Sequence, residues 1–274
     1  MFKSVFILGF LILFTNFEAF SEVNNQFLSN IQNKLKVVPK VSESSKYHIL
    51  KEYGALWLNQ NPKVKLPAKV YFSSEAETQS FHQELNLINF GANCLLQDEA
   101  AQALKKAQIK AKQKLLSISP RGKNEACLRS FDLTQKLWLS RVEPNLKYYV
   151  QNGKLSANEA SLIQKAKSWN QVDLILKLEK DKKLLFDKYR QTSILNSVAA
   201  PGTSQHLSGL AFDLAEFENP QVRKIMNEFG WFQTVQNDLP HFTYLGSSLS
   251  ENDLINLGLK KKTQASFTFW IPNL

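Results

Sequence analysis

Residues 201–213 have the sequence PGTSQHLSGLAFD, which brings a turn, a histidine and an aspartate together in one short stretch. A proline and a glycine open it as a turn, and Gly209 separates His206 from a short, mainly apolar segment that ends at Asp213. The pattern predicts that His206 lies on a loop and that Asp213 projects from a strand entered after Gly209. Both side chains can then contact one ion.

A second stretch, residues 237–244, has the sequence NDLPHFTY. Its proline fixes the backbone entering a β-prone segment, which places His241 at the start of a strand and Asp238 on the preceding turn. Two imidazoles and one carboxylate suit Zn²⁺, and three protein ligands leave a fourth position open, as in catalytic zinc sites. The sequence therefore predicts one zinc ion bound by His206, Asp213 and His241.

The pattern S-x-H-x6-D from residue 204, followed by D-x-P-H from residue 238, resembles the D-alanyl-D-alanine metallopeptidase family. That family is grouped with lysostaphin-type endopeptidases and the amino-terminal domain of hedgehog. The resemblance implies that His206, Asp213 and His241 are zinc ligands and that Asp238 is the general base of a metal-assisted hydrolysis. Ser204 is expected to orient His206 rather than to act as a nucleophile.

The family also carries an arginine in a Gly-Tyr-Arg element upstream of the Ser-x-His motif. Tyr189 and Arg190 stand at a similar spacing before Ser204, with Lys188 in place of the glycine. We expect Arg190 to contact a substrate carboxylate or the oxyanion. The resemblance covers about residues 180–245, and nothing before about residue 156 takes part in it.

The resemblance implies a secreted zinc peptidase that hydrolyses peptidoglycan stem peptides, with D-alanyl-D-alanine carboxypeptidase as the favoured activity. Many such carboxypeptidases carry Glu where this chain has Asp238, and Asp before Pro-His is similar to phage-type L-alanyl-D-glutamate endopeptidases. An endopeptidase that cuts an L-Ala-D-Glu bond or a cross-link is therefore one alternative. A non-catalytic zinc module that binds wall peptides or a protein partner, as hedgehog-like members suggest, is the other.

The first 21 residues have the layout of a signal peptide: a basic start, an apolar run and a more polar end. The apolar run is about half the roughly 20 residues that a membrane-spanning helix needs, and no later segment is apolar enough to span. Cleavage would remove Lys3 and Glu18, so the formal net charge stays at +10. The expected location is secreted or periplasmic, which removes nucleic acid as the natural partner. An anionic cell envelope fits this charge, as does a solvated lysine-rich surface with no specific partner.

The chain has two cysteines, Cys94 and Cys127, and neither has metal-ligand spacing to a second Cys or a His. In an oxidising compartment we favour a disulfide between them, with two separately buried thiols as the alternative.

Strands and helices mix without regular βαβ alternation, which predicts an α+β fold. We expect a small antiparallel sheet with flanking helices holding one zinc site, preceded by a mainly helical N-terminal region. The predicted division is a signal peptide (1–21), a region of unknown role (22–150) and a zinc metallopeptidase domain (151–274). Capping and composition signals predict helices that start near residues 74, 97, 131, 156 and 219, with a new segment at Pro144. Strands are predicted at residues 69–72, 173–178, 183–189 and 266–271.

Overall fold

The structure is a computed structural model that describes residues 25–91, 94–122, 124–246 and 249–274. The predicted signal peptide, residues 1–21, lies outside the described residues. The α-helices are α1 (Gln26–Ile31), α2 (Ser44–Tyr53), α3 (Glu75–Gln83), α4 (Asp98–Gln113), α5 (Phe131–Gln151), α6 (Ala157–Lys165), α7 (Ser168–Lys182), α8 (Pro220–Glu228) and α9 (Glu251–Asn256). The strands are β1 (Leu87–Asn89), β2 (Leu95–Gln97), β3 (Ala211–Asp213), β4 (Trp231–Phe232), β5 (His241–Tyr244), β6 (Leu259–Gln264) and β7 (Phe267–Pro272). The α+β prediction is confirmed.

Three small antiparallel sheets are present in the described residues. Strands β1 and β2 form one hairpin, β6 and β7 form another, and the third sheet has the order β3-β5-β4. In this third sheet Asp213 of β3 stands directly opposite His241 of β5. Directly opposed residues have their Cβ atoms about 5 Å apart, so the register alone brings two predicted ligands together.

The turn that precedes this sheet depends on Gly202. Its φ is +78°, and a Cβ at this position would lie 2.0 Å from the carbonyl oxygen of Phe72. The Phe72 N–H donates to the Gly202 carbonyl at 2.9 Å, which ties residues 69–72 to this turn. These residues form a bend and not a strand. The strand predicted at residues 69–72 is therefore wrong, because the β-prone side chains Val70 and Phe72 are buried against other elements without a ladder partner.

Two large hydrophobic clusters hold the helices around the sheets. One combines α1, α4 and α8 with the three-stranded sheet and β7, and the other combines α2, α5, α6 and α7. The predicted helix starts are confirmed at three caps, where Ser74, Ser156 and Asn219 each accept a backbone N–H of the first turn. The final strand is confirmed as β7.

The strands predicted at residues 173–178 and 183–189 are wrong. Residues 173–178 belong to helix α7, which places Val172 and Ile175, three residues apart, in the second hydrophobic cluster. Burial at helical spacing outweighs the β propensity of the Leu and Ile side chains. The helix ends at Lys183 in the left-handed conformation, and residues 184–189 continue as irregular chain.

Pro144 does not start a new segment, because α5 runs through it without a break. Trp138 and Val142 precede the proline, Leu146 and Tyr149 follow it, and all four pack in the second hydrophobic cluster. Packing on both sides of Pro144 offsets the lost backbone hydrogen bond, which costs about 3 kcal/mol in an isolated helix.

Cys94 and Cys127 form a disulfide that joins the segment before β2 to the segment before α5. None of the helices in the described ranges is both long enough and apolar enough to cross a membrane.

Candidate metal centre

One ligand atom from each of His206, Asp213 and His241 lies within 4.8 Å of the other two. The His206 Nε2 is 3.1 Å from the His241 Nδ1, and the Asp213 Oδ1 is 3.2 Å and 3.3 Å from these two nitrogens. Both histidines are buried, and Asp213 is partly buried. The three residues predicted as zinc ligands are therefore together in the structure.

Local backbone geometry delivers the first two of these side chains. Residues Gln205–Ser208 form a 3-10 helix that carries His206, and this helix ends at Gly209 with φ +68°. A left-handed turn of this kind favours glycine, and it redirects the chain into β3. Asp213 then ends the strand, as the sequence predicted.

Hydrogen bonds from the rear of each ring fix which nitrogen faces the centre. The His206 Nδ1 lies 2.8 Å from the Cys127 carbonyl oxygen, which can only accept, so this nitrogen carries the proton. The His241 Nε2 lies 2.8 Å from the Gln205 Oε1, whose amide is oriented by donation from Gln205 Nε2 to the Tyr53 carbonyl. With these partners, a ring that carries one proton turns its unprotonated nitrogen toward the same point in both cases.

This donor set fits a zinc ion. Two nitrogen lone pairs and one carboxylate oxygen converge, and three acceptors at such short distances repel one another unless a cation lies between them. Tetrahedral zinc with Zn–N bonds of about 2.05 Å places two nitrogens about 3.3 Å apart, close to the observed 3.1 Å.

The charges at the centre suit metal binding at neutral pH. Burial, aided by the nearby Arg129 guanidinium, lowers the pKa of His206 to about 4. Burial alone would raise the pKa of Asp213, but the interactions with His206 and His241 outweigh it and hold this pKa well below the ordinary value. The imidazole of His206 is thus neutral and the carboxyl of Asp213 ionised, which are the forms that bind metal.

Arg129 contacts the centre, although the sequence reasoning did not identify it. Its Nη2 donates to the Asp213 Oδ2 at 2.6 Å, and its Nε donates to the Glu125 carbonyl at 2.7 Å. Its backbone N–H donates to the His206 carbonyl at 3.3 Å. Asp213 therefore faces the histidines with one oxygen and Arg129 with the other.

Arg190, the arginine that the sequence favoured, does not join this centre. Its guanidinium stacks on the Tyr148 ring at 4.1 Å, and its Nη1 donates to the Asn145 Oδ1 at 3.2 Å. Both partners belong to helix α5, and Arg190 is not among the residues that line the cavity at the centre.

A cavity of about 250 Å³ opens at the two histidines. Asp238 and Ser204, both predicted site residues, lie in its wall, and so do Arg129 and Arg141. The described contacts that orient the histidines come from Cys127 and Gln205 rather than from Ser204. The remaining lining comes mainly from α5, from residues 195–199 and from residues 235–237.

Asp238 is held in the cavity wall by the turn before β5. Its backbone N–H donates to the Val235 carbonyl at 3.3 Å, and its carbonyl accepts from the His241 N–H at 3.2 Å. Although the residue is exposed at the cavity edge, the protein packed around its carboxyl raises its pKa. His241 opposes this rise, and the negative charge of Asp213 adds to it. The carboxyl thus lies beside the metal centre without being one of the three clustered ligands.

Of the two residues that the sequence prediction missed, only one had a visible signal. Gln205 stands directly before His206 inside the quoted motif, so its amide was a detectable candidate for orienting a ligand. Arg129 is 84 positions from its partner Asp213, and no local pattern in the sequence connects the two.

Comparison with known proteins identifies the family of this chain. A family model, VanY, described as D-alanyl-D-alanine carboxypeptidase, matches residues 93–255, which is more than half of the chain. The chain belongs to the VanY family. The VanY match runs across the boundary predicted at residue 150, and that division stays a prediction. The expectation that nothing before about residue 156 takes part in the resemblance is wrong, since α4, Cys94, Cys127 and Arg129 all lie within the matched range.

No curated protein matches the chain. Among solved structures, similarity is found to a chain reported as "Structure of the LdcB LD-carboxypeptidase reveals the molecular basis of peptidoglycan recognition". The identity is 17%, the TM-score is 0.32, and the alignment covers 60% of this chain and 64% of that one.

Proposed function

We propose that this VanY-family protein is a zinc-dependent D-alanyl-D-alanine carboxypeptidase that acts on peptidoglycan stem peptides outside the cytoplasm. The observation that carries the proposal is the convergence of His206 Nε2, His241 Nδ1 and Asp213 Oδ1 beside a cavity whose wall contains both histidines and Asp238. Family membership supports the reaction class, because the VanY family is described as D-alanyl-D-alanine carboxypeptidase.

His206, Asp213 and His241 would hold the ion. Zinc, when bound at such a site, polarises a carbonyl and makes water more acidic. Asp238 would take the proton from the attacking water and return it to the leaving amine, as a general base and then a general acid. Arg129 holds Asp213 in place through its 2.6 Å hydrogen bond, so the carboxylate presents one oxygen to the metal.

The strongly basic chain fits an anionic envelope, and a net charge of +10 would concentrate the protein there. Secretion through cleavage after residue 21 and a periplasmic or extracellular location belong to the same proposal.

The decisive experiment combines metal analysis with digestion of a defined stem pentapeptide that ends in D-Ala-D-Ala. We expect one zinc per chain and release of D-alanine, both lost on treatment with a chelator and restored by Zn²⁺. Release of L-alanine, or cleavage of a cross-linked muropeptide instead, would make the protein an endopeptidase. Binding of the peptides without any cleavage would leave a non-catalytic zinc module.

The role of Asp238 has its own test. Asp238→Asn should retain zinc and lower kcat by about 10²- to 10⁴-fold, because a general base contributes a factor of this size. The matched control is Asp181→Asn, an exposed carboxylate near the end of α7, which should keep wild-type kcat. An Asp238→Asn protein that binds zinc and retains full kcat would remove this residue as the base.

A further inference from the structure

Arg141 is a second arginine in the cavity wall, and its charge has no assigned role. It belongs to α5, whose residues Thr134, Leu137 and Arg141 line the cavity at helical spacing. A neighbouring face of the same helix is packed in the second hydrophobic cluster through Trp138 and Val142. The guanidinium is therefore carried by a rigid element beside the metal centre.

The contacts of Arg141 leave its charge unbalanced. The Nε donates to the Ser197 Oγ at 2.9 Å, and the Nη1 donates to the Ser140 Oγ at 2.9 Å. Both acceptors are neutral hydroxyls, and no ion pair in the described residues includes Arg141. The second terminal nitrogen, Nη2, has no described partner. A guanidinium fork of this kind matches a carboxylate, which accepts two parallel hydrogen bonds.

The other arginines near α5 differ in this respect. Arg129 is neutralised by Asp213, and Arg190 is stacked on Tyr148 outside the cavity wall. A cavity of about 250 Å³ is below the range typical for drug-sized ligands, so its size fits the end of a peptide better than a long segment. The negative group at the end of a peptide is its C-terminal carboxylate.

Resting on the proposed function, we infer that Arg141, positioned by Ser197, binds the C-terminal carboxylate of the substrate. The candidate metal centre then lies at the scissile bond, on the amino side of the terminal residue, and Arg141 lies at the carboxylate of that residue. The scissile carbonyl lies at the centre, and the free carboxylate lies at Arg141. This arrangement selects chain ends over internal bonds, which makes the site a carboxypeptidase site.

The test compares two forms of one N-acylated peptide ending in D-Ala-D-Ala, the free acid and the C-terminal amide. The zinc-loaded wild-type protein should prefer the acid by about 10- to 100-fold in kcat/KM, the range expected for a hydrogen bond between charged groups. Arg141→Met should lose this preference, mainly through a higher KM for the acid. Arg141→Lys should be intermediate, because it keeps the charge without the fork.

Lys136→Met is the matched control, since it removes an exposed cation from the same helix and should keep the wild-type preference. Equal cleavage of acid and amide by the wild-type protein would overturn the inference and leave the peptidase function intact. So would an Arg141→Met protein that still prefers the acid.

If the wild-type protein cleaves neither peptide, the proposed function fails and the inference is tested by binding. Calorimetry with zinc-loaded wild-type and Arg141→Met proteins then compares the same acid and amide. An acid preference that disappears in Arg141→Met supports carboxylate binding at Arg141, and equal affinities contradict it.

Discussion

Gln205 supports the candidate metal centre through a buried side-chain oxygen that accepts from the His241 ring and from a neighbouring hydroxyl. Its Oε1 accepts from the His241 Nε2 at 2.8 Å and from the Thr243 hydroxyl, while its Nε2 donates to the Tyr53 carbonyl at 2.8 Å. This network holds the His241 ring so that Nδ1 faces the other ligands. A partner in this position orients a ligand and raises its basicity.

We predict that Gln205→Met weakens zinc binding by about 10- to 100-fold, the usual effect of losing such a partner. Gln205→Glu keeps an acceptor for His241 and should stay closer to the wild type. Competition against a chromophoric chelator measures both affinities, with circular dichroism to verify that each variant folds. Equal weakening in the two variants would contradict a role for the accepting oxygen.

The clustering of the candidate ligand residues could be predicted at the residue scale, and the contact of Arg129 with Asp213 could not. His206 and Asp213 lie seven positions apart in one motif, so local chain geometry alone brings them together. The contact from Cys127 to His206 spans 79 positions, and such tertiary pairs leave no trace in a single sequence. Arg190 was favoured because a local Tyr-Arg pair was visible, whereas Arg129 is placed by the fold.

At the scale of elements, α7 shows why caps predict helices better than composition predicts strands. The side chains of Ser74, Ser156 and Asn219 each accept a backbone N–H from the first turn of the helix that follows, and this contact depends only on nearby sequence. The Leu- and Ile-rich run at residues 173–178 carries no such local cue, and its helical state is set by packing against α2 and α6.

Glu179 ties the end of α7 to the irregular chain that follows it. The buried carboxylate accepts the N–H groups of Phe186 and Ile194 at 2.9 Å and 2.8 Å, and the Ser193 hydroxyl at 2.6 Å. Burial raises its pKa from the ordinary value of 4.5, although these three hydrogen bonds oppose the rise. Between the ordinary and the raised pKa, the folded protein holds a proton that the unfolded chain has released.

We therefore predict that the contribution of Glu179 to stability is full below about pH 4.5 and is lost as the pH rises through its folded-state pKa. The glutamine in Glu179→Gln cannot ionise, so this variant should not show the loss. The difference between its free energy of unfolding and that of the wild type should therefore shift in favour of the variant as the pH rises. Glu179→Ala should cost about 3 kcal/mol, because it leaves buried N–H groups without an acceptor. Urea unfolding over a series of pH values measures these differences.

Glu143→Gln on α5 is the control for this series, since it changes an exposed carboxylate. It should follow the wild-type pH dependence. A Glu179→Gln protein that runs parallel to the wild type across the series would show that Glu179 does not contribute to the pH dependence of folding.

On the scale of the whole molecule, the candidate metal centre combines residues from both sides of the predicted boundary at residue 150. The ligands come from β3, β5 and the 3-10 helix before them, while Arg129 and the Cys127 carbonyl come from the segment before α5. The α+β class followed from the mixture of local signals. The contribution of the segment before α5 could not be predicted, because it depends on how this segment folds back onto the turn that carries His206.

The Cys94–Cys127 disulfide fixes that earlier segment, so its removal should affect stability and the metal centre together. The bridge spans 33 positions. Closing a loop of this length lowers the entropy of the unfolded chain, which stabilises the folded protein by about 3 to 4 kcal/mol. We predict that replacing both cysteines by Ala lowers the free energy of unfolding by about this amount. Zinc affinity should also fall, because the Cys127 carbonyl that orients His206 is held less firmly.

Urea unfolding of the metal-free and zinc-loaded forms separates the two effects. A loss of stability that is identical with and without zinc would mean that the disulfide braces the fold alone, whereas a larger loss in the zinc-loaded form requires that it also positions His206.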